Sequence, residues 1–371
     1  MFKRIALIQV LSNGAFLACF TYISIYADEA GLSKFEIALM ASLYAVATFF
    51  SAYIFGRMAD NYGRRRILLI GLDLLIVLAA LQALAWSLPS FFTFRFIAGV
   101  GFGMFPAALA AYAFEARSKM GKFSSFGALG WGLSLLASGV VAETFGVYSV
   151  FLFSSALVII SLLVAFTLKP IKQVRIKTPL MPFRMIMKNH GILFPFILRH
   201  SSAAAIWVLW PLFLKETIGL TLWEIGIVQA TNAFTQFFAM YFMGDRMRPK
   251  TQIGLGILLS AVAFISFTVI QTFPLFLVTQ VLLGLSWACL FVGTLRTMLD
   301  RNRERATAAG LLNSSISFSA LLGPFISIMI VQIFPGSSYE APMYLAFGAS
   351  LLAFLLFLER NRRRAEVEEI A

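Results

Sequence analysis

The sequence predicts an all-α membrane protein with twelve transmembrane helices in two pseudo-symmetric six-helix halves, and three observations lead to this fold class. Hydrophobic residues make up 60% of the 371 residues and charged residues only 13%, which separates the chain from soluble globular proteins. The apolar residues are concentrated in twelve runs, each long enough to cross a bilayer as a helix. The longest break follows the sixth run, so the chain divides into two halves of six helices.

The first apolar run follows Lys3 and Arg4 directly and is longer than the apolar core of a signal peptide. We therefore interpret it as a spanning helix rather than a cleaved leader. Short polar turns separate most of the later runs. The predicted spans are residues 5–27, 35–56, 67–87, 90–113, 124–144, 147–168, 191–214, 223–243, 251–271, 274–295, 306–331 and 341–358.

The distribution of positive charge predicts the topology. Of the 30 Lys and Arg residues, 26 fall in segments on the side of the N-terminus, and only Lys34 and Lys215 fall on the other side. Because cytoplasmic loops carry this excess, we predict a multi-pass plasma-membrane protein with both termini in the cytoplasm. The predicted parts are an N-terminal half (1–168), a basic cytoplasmic linker (169–190), a C-terminal half (191–358) and a cytoplasmic tail (359–371), which we expect to be disordered.

The stretch GRMADNYGRRR, residues 56–66, joins the second and third spans and is the most distinctive polar segment of the chain. We expect Gly56 to end the second span and Gly63 to permit a further turn, since glycine adopts conformations that other residues avoid. Asp60 can accept hydrogen bonds from the free N–H groups at the start of a helix. The arginines that follow hold the loop at the membrane side that faces anionic lipid.

Gly56, Asp60, Gly63, Arg64 and Arg65 together resemble the signature loop of the major facilitator superfamily, which joins its second and third helices. The resemblance covers nearly the whole chain, including helix number, cytoplasmic termini and central linker. It implies secondary transport of a small solute by alternating access. It also implies a cavity lined mainly by helices 1, 4, 7 and 10.

The same resemblance implies a gating role for the loop. Members of the family latch it with an acid–base pair, and Glu115, at the cytoplasmic end of the fourth span, is the candidate partner of Arg64 or Arg65. We expect Asp60 to cap the start of the eleventh span, near Arg305–Thr307, when the cytoplasmic side is closed. The predicted gating residues are Gly56, Asp60, Gly63, Arg64, Arg65 and Glu115.

The chain lacks the residue patterns of an enzyme. It has two His and two Cys residues, which have no metal-ligand spacing, and no phosphate-binding loop of the type GxxxxGK[ST]. We expect no cofactor and no metal. The partners we expect are a small-molecule substrate, protons and membrane lipids, with no nucleic acid, for a protein that acts as a monomer.

Arg199 and His200 lie within the seventh span. Arg199 is roughly 12 Å along the helix from Gly191, and a charge at that depth must face a cavity or a partner. Arg199 is therefore either a substrate or proton site or half of a structural ion pair, for which the later spans offer no evident carboxylate. His200 would titrate near neutral pH where it is accessible, or it joins two helices by a hydrogen bond.

Two further charges lie within spans of the N-terminal half. Arg95 begins a stretch with Gly99 and Gly101 that resembles the helix-4 motif of the superfamily, whose Arg is implicated in proton-coupled exchange. Arg95 is shallow enough, as an alternative, to extend its side chain to the membrane surface. Asp73, in the third span, is expected to pair with the nearby arginine cluster.

Amides and tryptophans complete the candidate substrate site. Gln229, Asn232 and Gln236 share one face of the eighth span, and Asn13 shares a face of the first span with Gln9. Such amides either line a cavity or join helices by hydrogen bonds. Trp207 and Trp287 either stack on a planar or cationic ligand or anchor the helix ends. The predicted substrate-binding residues are Arg199, His200, Arg95, Asn13, Trp207, Gln229, Asn232, Gln236 and Trp287.

The 39 Phe residues and several Trp residues suggest an apolar cavity like that of drug exporters, so we expect proton-coupled efflux of drug-like or metabolite substrates. The alternative is an organic-anion carrier that uses Arg95 and Arg199, because these residues leave the membrane interior with a net positive charge. A third interpretation is a non-transporting receptor or scaffold, which usually adds a soluble domain or a long tail.

Overall fold

The computed structural model describes residues 1–171, 176, 178–334 and 339–370. Side chains are not described at residues 34, 208, 209, 211, 212, 222, 223, 328, 331, 361 and 363–370. The linker residues Lys172, Arg175 and Lys177, whose charges contribute to the predicted topology, therefore lie outside the described part of the chain.

The described residues form α-helices joined by short turns, and no strand occurs among them. The helices are α1 (Phe2–Glu29), α2 (Lys34–Tyr62), α3 (Arg64–Ala80), α4 (Leu88–Met104), α5 (Pro106–Glu115), α6 (Met120–Phe145), α7 (Ser149–Phe166), α8 (Phe183–Leu212), α9 (Leu222–Phe242), α10 (Pro249–Val269), α11 (Phe273–Arg301), α12 (Arg305–Ile333) and α13 (Ala341–Ile370).

Every predicted span coincides with one of these helices or with a consecutive pair. The pair is α4 and α5, which divide the fourth predicted span at Phe105 because Pro106 has no N–H to continue the hydrogen-bond ladder. A 3₁₀ turn, Leu81–Leu84, follows α3, and a π turn, Phe213–Thr217, follows α8. Within the described residues, ten of the helical segments are long and apolar enough to cross a membrane.

The helices form two compact units. The first contains Met1–Leu180 together with Met298–Ser317, and the second contains Met181–Thr297 together with Phe318–Ala371. The first unit therefore holds more than the predicted N-terminal half, because the end of α11 and the first half of α12 belong to it. The division falls within α12, between Ser317 and Phe318.

Small residues allow close helix contacts within the first unit. A methyl group on Gly99 of α4 would lie 2.9 Å from the carbonyl oxygen of Tyr44 on α2. A methyl group on Gly130 of α6 would lie 2.3 Å from the carbonyl oxygen of Val10 on α1. The run Gly99–Gly103 is thus a helix-contact surface, and it positions Tyr44 beside α4.

An aromatic core fills part of the second unit. Trp210 on α8 packs against Phe264 and Phe267 of α10 and Phe276 of α11 through a single apolar cluster. Trp207 packs against the same cluster, with its ring 5.9 Å from that of Trp210. Trp207 thus contributes to packing within the unit.

Two boundaries differ from the predictions. The helix α8 begins at Phe183, so the last eight residues of the predicted linker are its first two turns. At the other end of the chain, α13 continues to Ile370, and the tail that we expected to be disordered extends this helix instead.

Candidate functional site

The carboxylate of Asp60 lies at the centre of a hydrogen-bonded cluster in the first unit, with 3% of the residue exposed. Its Oδ2 accepts hydrogen bonds from the backbone N–H and the hydroxyl of Thr307, each at 2.7 Å. Its Oδ1 accepts from the N–H of Ala306 at 3.2 Å and from the Arg64 guanidinium at 2.9 Å. Asp60 therefore caps α12 where the sequence predicted it would, using free N–H groups and the positive end of the helix dipole.

The two loop glycines have different roles, and the prediction for Gly56 is wrong. The helix α2 continues through Gly56 to Tyr62, so Gly56 does not end it. A methyl group at Gly56 would lie 2.5 Å from the carbonyl oxygen of Ala306, and the glycine is needed because α12 crosses α2 at this point. Gly63 has φ 113°, and it makes the turn between α2 and α3 as predicted.

The loop arginines bind different partners. Arg64, 2% exposed, forms ion pairs with both Asp60 and Glu115. Glu115, at the end of α5, also lies 3.5 Å from Arg305. Of the two arginines considered for Glu115, the structure selects Arg64. Arg65 instead donates to the carbonyl oxygens of Phe166 and Leu168, both at 2.9 Å, and so completes the C-terminal end of α7.

The described part of the linker packs directly on this cluster. Asn61 accepts hydrogen bonds from the N–H and hydroxyl of Thr178, at 3.0 and 3.1 Å. Arg57 donates to the carbonyl oxygen of Thr178 at 2.9 Å, and the N–H of Ile176 donates to the carbonyl oxygen of Asp60. The last turns of α2 thus bind the start of α12 on one side and the linker on another.

Arg95 is buried inside the first unit, with 1% exposure, so the alternative in which it extends to the membrane surface is wrong. Its Nη1 donates to Oε1 of Gln82 at 3.2 Å, and its Cζ lies 3.9 Å from the centre of the Tyr44 ring. The Arg95 Nε and the Tyr44 hydroxyl are buried without a hydrogen-bond partner among the described residues. The burial results from the close approach of α2 and α4 at Gly99.

The expectation that Asp73 pairs with the arginine cluster is also wrong. Asp73 is exposed on α3, on the same side as the exposed Ile70, Leu74 and Val77. None of the ion pairs among the described residues involves it. The loop arginines that it was expected to meet are directed instead to Asp60, Glu115 and the end of α7.

Arg199 is buried in the second unit, with 2% exposure, and hydroxyl groups hold it. Its Nε donates to the Ser260 hydroxyl on α10 at 2.7 Å, and its Nη2 donates to the Ser286 hydroxyl on α11 at 3.3 Å. The rings of Phe264 and Trp287 lie 5.1 and 5.9 Å from its Cζ. No carboxylate among the described residues lies within ion-pair distance of this guanidinium.

His200 and Trp287 lie beside Arg199 and form a stacked pair, with ring centres 4.8 Å apart. Nδ1 of His200 is 3.5 Å from Nη1 of Arg199, and Phe196 lies on the same aromatic surface. Three predicted substrate-site residues, Arg199, His200 and Trp287, are therefore neighbours in the structure. Trp207 is not among them, since its contacts are with the aromatic core.

The predicted amides contact their own or a neighbouring helix. Gln236 donates to Oδ1 of Asn232 at 2.6 Å, and Asn232 donates to the carbonyl oxygen of Gln280 on α11. Gln229 is exposed on the same helix. In the first unit, Asn13 donates to the carbonyl oxygen of Gln9 at 3.0 Å. Only the bond from Asn232 to Gln280 joins two helices, and the side-chain oxygen of Gln236 is buried without a partner among the described residues.

Several residues that hold Arg95 and Arg199 could not be identified from the sequence. Ser260 and Ser286 are single hydroxyl residues inside apolar runs, and nothing in their spacing distinguishes them from other serines and threonines. Gln82 was visible as an amide in the third span, but its pairing with Arg95, thirteen residues away, depends on how α3 and α4 pack.

Comparison with known proteins identifies the family. The sequence profile of the Major Facilitator Superfamily matches residues 5–228 and 192–370, which together span almost the whole chain.

The individual relatives have low sequence identity to this chain. The chain is 22% identical over 363 residues to the quinolone resistance protein NorA of Staphylococcus aureus strain COL, covering 93% of this chain and 92% of the relative. It is 22% identical over 350 residues to the multidrug resistance protein MdtG of Dickeya zeae, covering 87% and 86%. Its fold is similar to that of the human organic anion transporter MFSD10 (TETRAN), with a TM-score of 0.78, 14% identity and coverage of 96% and 99%.

The Asp60 cap can be tested without knowledge of a substrate. Asp60→Asn replaces one acceptor oxygen with an NH₂ group, which faces the donors of Ala306, Thr307 or Arg64. We expect the amides of Ala306 and Thr307 to exchange hydrogen roughly tenfold faster, because losing a buried charged hydrogen bond costs about 1–3 kcal/mol. Hydrogen exchange with mass spectrometry measures this.

The exposed carboxylate of α3 provides the matched control. Asp73→Asn makes the same chemical change where no cap exists, and it should leave exchange at residues 305–310 unchanged. Equal exchange at Ala306 and Thr307 in wild type and Asp60→Asn would show that the cap does not hold α12.

Proposed function

Since the chain belongs to the Major Facilitator Superfamily, we propose that it is a secondary transporter that exports drug-like or metabolite molecules in exchange for protons by alternating access. The observation that carries the proposal is the buried capping cluster of Asp60, Arg64, Glu115, Arg305 and Thr307. Such a cluster holds the start of α12 to α2 with interactions that an applied gradient or a bound solute can break and remake.

The choice of export rests on the distant relatives. The names of NorA and MdtG describe resistance to quinolones and to multiple drugs. The exposed Phe20 ring on α1 and the Trp287 and His200 rings on α11 and α8 offer apolar and stacking surfaces of the kind that such molecules bind. The residues we assign to substrate contact are Arg95 and Asn13 in the first unit, with Arg199, His200 and Trp287 in the second.

The cap provides the transporter with a conformational switch. Four donors converge on one buried carboxylate, so breaking the cap leaves a charge without partners until water reaches it. The capped state is therefore stable, and the uncapped state becomes accessible when the cluster is hydrated. We propose that transport requires this exchange and that the described linker residues, bound to Arg57 and Asn61, move with the cluster.

Proton exchange needs a group that can release a proton, and a guanidinium stays charged in proteins. Among the residues assigned to the substrate site, His200 is the group able to do so. We propose that Arg199 sets the electrostatic field of the site and that His200 carries the coupled proton.

An organic anion is the second candidate substrate. It is favoured by the two buried arginines, Arg95 and Arg199, neither of which has a carboxylate partner among the described residues. A positive charge without a counter-ion at that depth repels cations and attracts anions.

The transport proposal is tested by counterflow in proteoliposomes with lipophilic cations and organic anions. We expect proteoliposomes with wild-type protein to accumulate at least one of these solutes. Asp60→Asn should accumulate the same solute at about a tenth of the wild-type rate or less, because the substitution weakens the cap by about 1–3 kcal/mol. Asp73→Asn should transport normally. Wild-type counterflow with full activity of Asp60→Asn would contradict the role of the cap, and the absence of counterflow for every solute would contradict transport.

Arg199 distinguishes the two substrate classes. For an anionic substrate, Arg199→Lys should weaken uptake roughly tenfold, because Lys lacks the planar fork of donors, and Arg199→Ala should abolish it. For a lipophilic cation, Arg199→Ala should preserve or increase transport, because a repelling charge is removed. Lys215→Ala removes a positive charge at an exposed turn and serves as the control. Unchanged transport of both classes in Arg199→Ala would show that Arg199 is structural.

We propose that both termini are cytoplasmic, and thiol labelling tests this. Cys19 and Cys289 are buried, so the wild-type chain should react little with a membrane-impermeant maleimide. In intact cells, Lys215→Cys should be labelled, whereas Lys119→Cys, between α5 and α6, should be labelled only after permeabilisation. The reverse pattern would invert the topology.

A further inference from the structure

A cavity of about 360 Å³ opens in the second unit where the start of α8 meets the end of the apolar part of α13. Its lining is part polar and part apolar: His190, Gly191, Phe194, Pro195, Leu356, Glu359 and Arg360. None of these residues belongs to the Asp60 cluster or to the cluster around Arg199. This cavity is therefore separate from both sites described above.

The Arg360 side chain is positioned at the cavity by a glycine. A methyl group on Gly191 would lie 2.6 Å from Cγ of Arg360 and 3.3 Å from its Nε, so the stem of Arg360 crosses α8 where a side chain is absent. The guanidinium is exposed, and the described residues supply it with neither an ion pair nor a hydrogen bond. Glu359, which also lines the cavity, takes part in another interaction. Arg360 is therefore the charged lining residue that the described part of the chain leaves able to bind a ligand.

The position of the cavity along the helices indicates the kind of ligand. The predicted seventh span begins at residue 191 and the twelfth ends at residue 358, so the lining residues lie at the end of the apolar part on both helices. Below the charged group, Phe194 is 58% exposed, and Leu355 and Leu352 on α13 are also exposed. The site thus presents a cation at the depth of lipid headgroups, followed by apolar side chains at the depth of acyl chains.

His190 adds a second polar group at the headgroup level. Its Nδ1 lies 2.5 Å from the carbonyl oxygen of Met187, which fixes the proton on Nδ1 and leaves Nε2 for another partner. Arg184 and Lys188, on the preceding turns of α8, increase the local positive charge. Basic pockets between helices at a membrane surface are typical sites for anionic phospholipid headgroups.

We propose that this cavity binds one anionic phospholipid of the phosphatidylglycerol type. The phosphodiester accepts hydrogen bonds from the Arg360 guanidinium, the glycerol headgroup occupies the cavity beside His190, and the acyl chains lie along Phe194 and Leu352. A cavity of this volume holds a headgroup but not a whole lipid, which is why the apolar surface outside it is part of the site.

The test is native mass spectrometry of the full chain in neutral detergent, with added phosphatidylglycerol, phosphatidylethanolamine or phosphatidylcholine of identical acyl chains. We expect the first phosphatidylglycerol to bind wild type most tightly of the three. Arg360→Ala should bind it about fivefold more weakly, as expected for one basic residue at the headgroup level. Gly191→Ala should have a similar effect, because its methyl group displaces the Arg360 stem.

Matched variants separate this site from general charge and packing effects. Arg362→Ala removes the same charge two residues beyond the cavity. Gly254→Ala adds a methyl group on α10 that also faces α13, but at an ordinary 3.4 Å from Phe357. Both should bind phosphatidylglycerol like wild type, and thermal unfolding in the absence of lipid should show that all four variants are folded.

Three outcomes would overturn the proposal. One is equal binding of phosphatidylglycerol by Arg360→Ala and Arg362→Ala. Another is equal or tighter binding of phosphatidylethanolamine, which would show that the cavity selects a zwitterion. The third is binding of glycerol 3-phosphate without acyl chains as tightly as the lipid, which would show that the apolar surface has no part in the site.

Discussion

The carboxylate of Asp60 is the group on which the organisation of the first unit depends. A buried carboxylate is tolerated only where donors replace the water it has lost, and the two free N–H groups of α12, a hydroxyl and a guanidinium do so here. To bring those N–H groups within 3 Å or so of Asp60, α12 must cross α2 at backbone contact, which requires glycine at Gly56 and at Gly310. Residues 298–317, which contain this cap, belong to the first unit.

The two buried arginines meet the same constraint in a different way. Arg95 is held by an amide oxygen and the face of the Tyr44 ring, and Arg199 by two hydroxyl groups. Neutral acceptors satisfy hydrogen bonds but do not cancel charge. Each guanidinium therefore stays a buried positive charge without a counter-ion, which a carboxylate would have provided. The first unit therefore contains both kinds of arginine: Arg64, which is neutralised by Asp60 and Glu115, and Arg95, which is not.

The sequence predicted those features that depend on local chemistry. Apolar run lengths located the helices, the glycine at position 63 located a turn, and an acid before a basic cluster identified a helix cap.

Features that depend on how helices cross were not predictable. Gly56 was expected to end α2 because an isolated glycine next to charged residues usually marks a turn, whereas here it permits a helix crossing. Asp73 and the loop arginines are near each other along the chain, but the rotation of α3 directs Asp73 to an exposed face. The hydroxyls that hold Arg199 belong to α10 and α11, and no short-range pattern links them to α8.

The number of acceptors within reach differs between Arg296 and Arg95. An arginine has five N–H donors and no acceptor. Arg296 directs Nη1 at three acceptors, the carbonyl oxygens of Gly244 and Met247 and the side-chain oxygen of Gln252. Arg95 has one acceptor and a buried Nε without a partner among the described residues. Because an unsatisfied buried donor costs more than a satisfied one gains, an anion that reaches Arg95 gains the energy of its own hydrogen bonds and removes that cost. Incomplete coordination of a buried guanidinium therefore favours anion binding from within, in the same way that exposure of Arg360 favours it at the membrane surface.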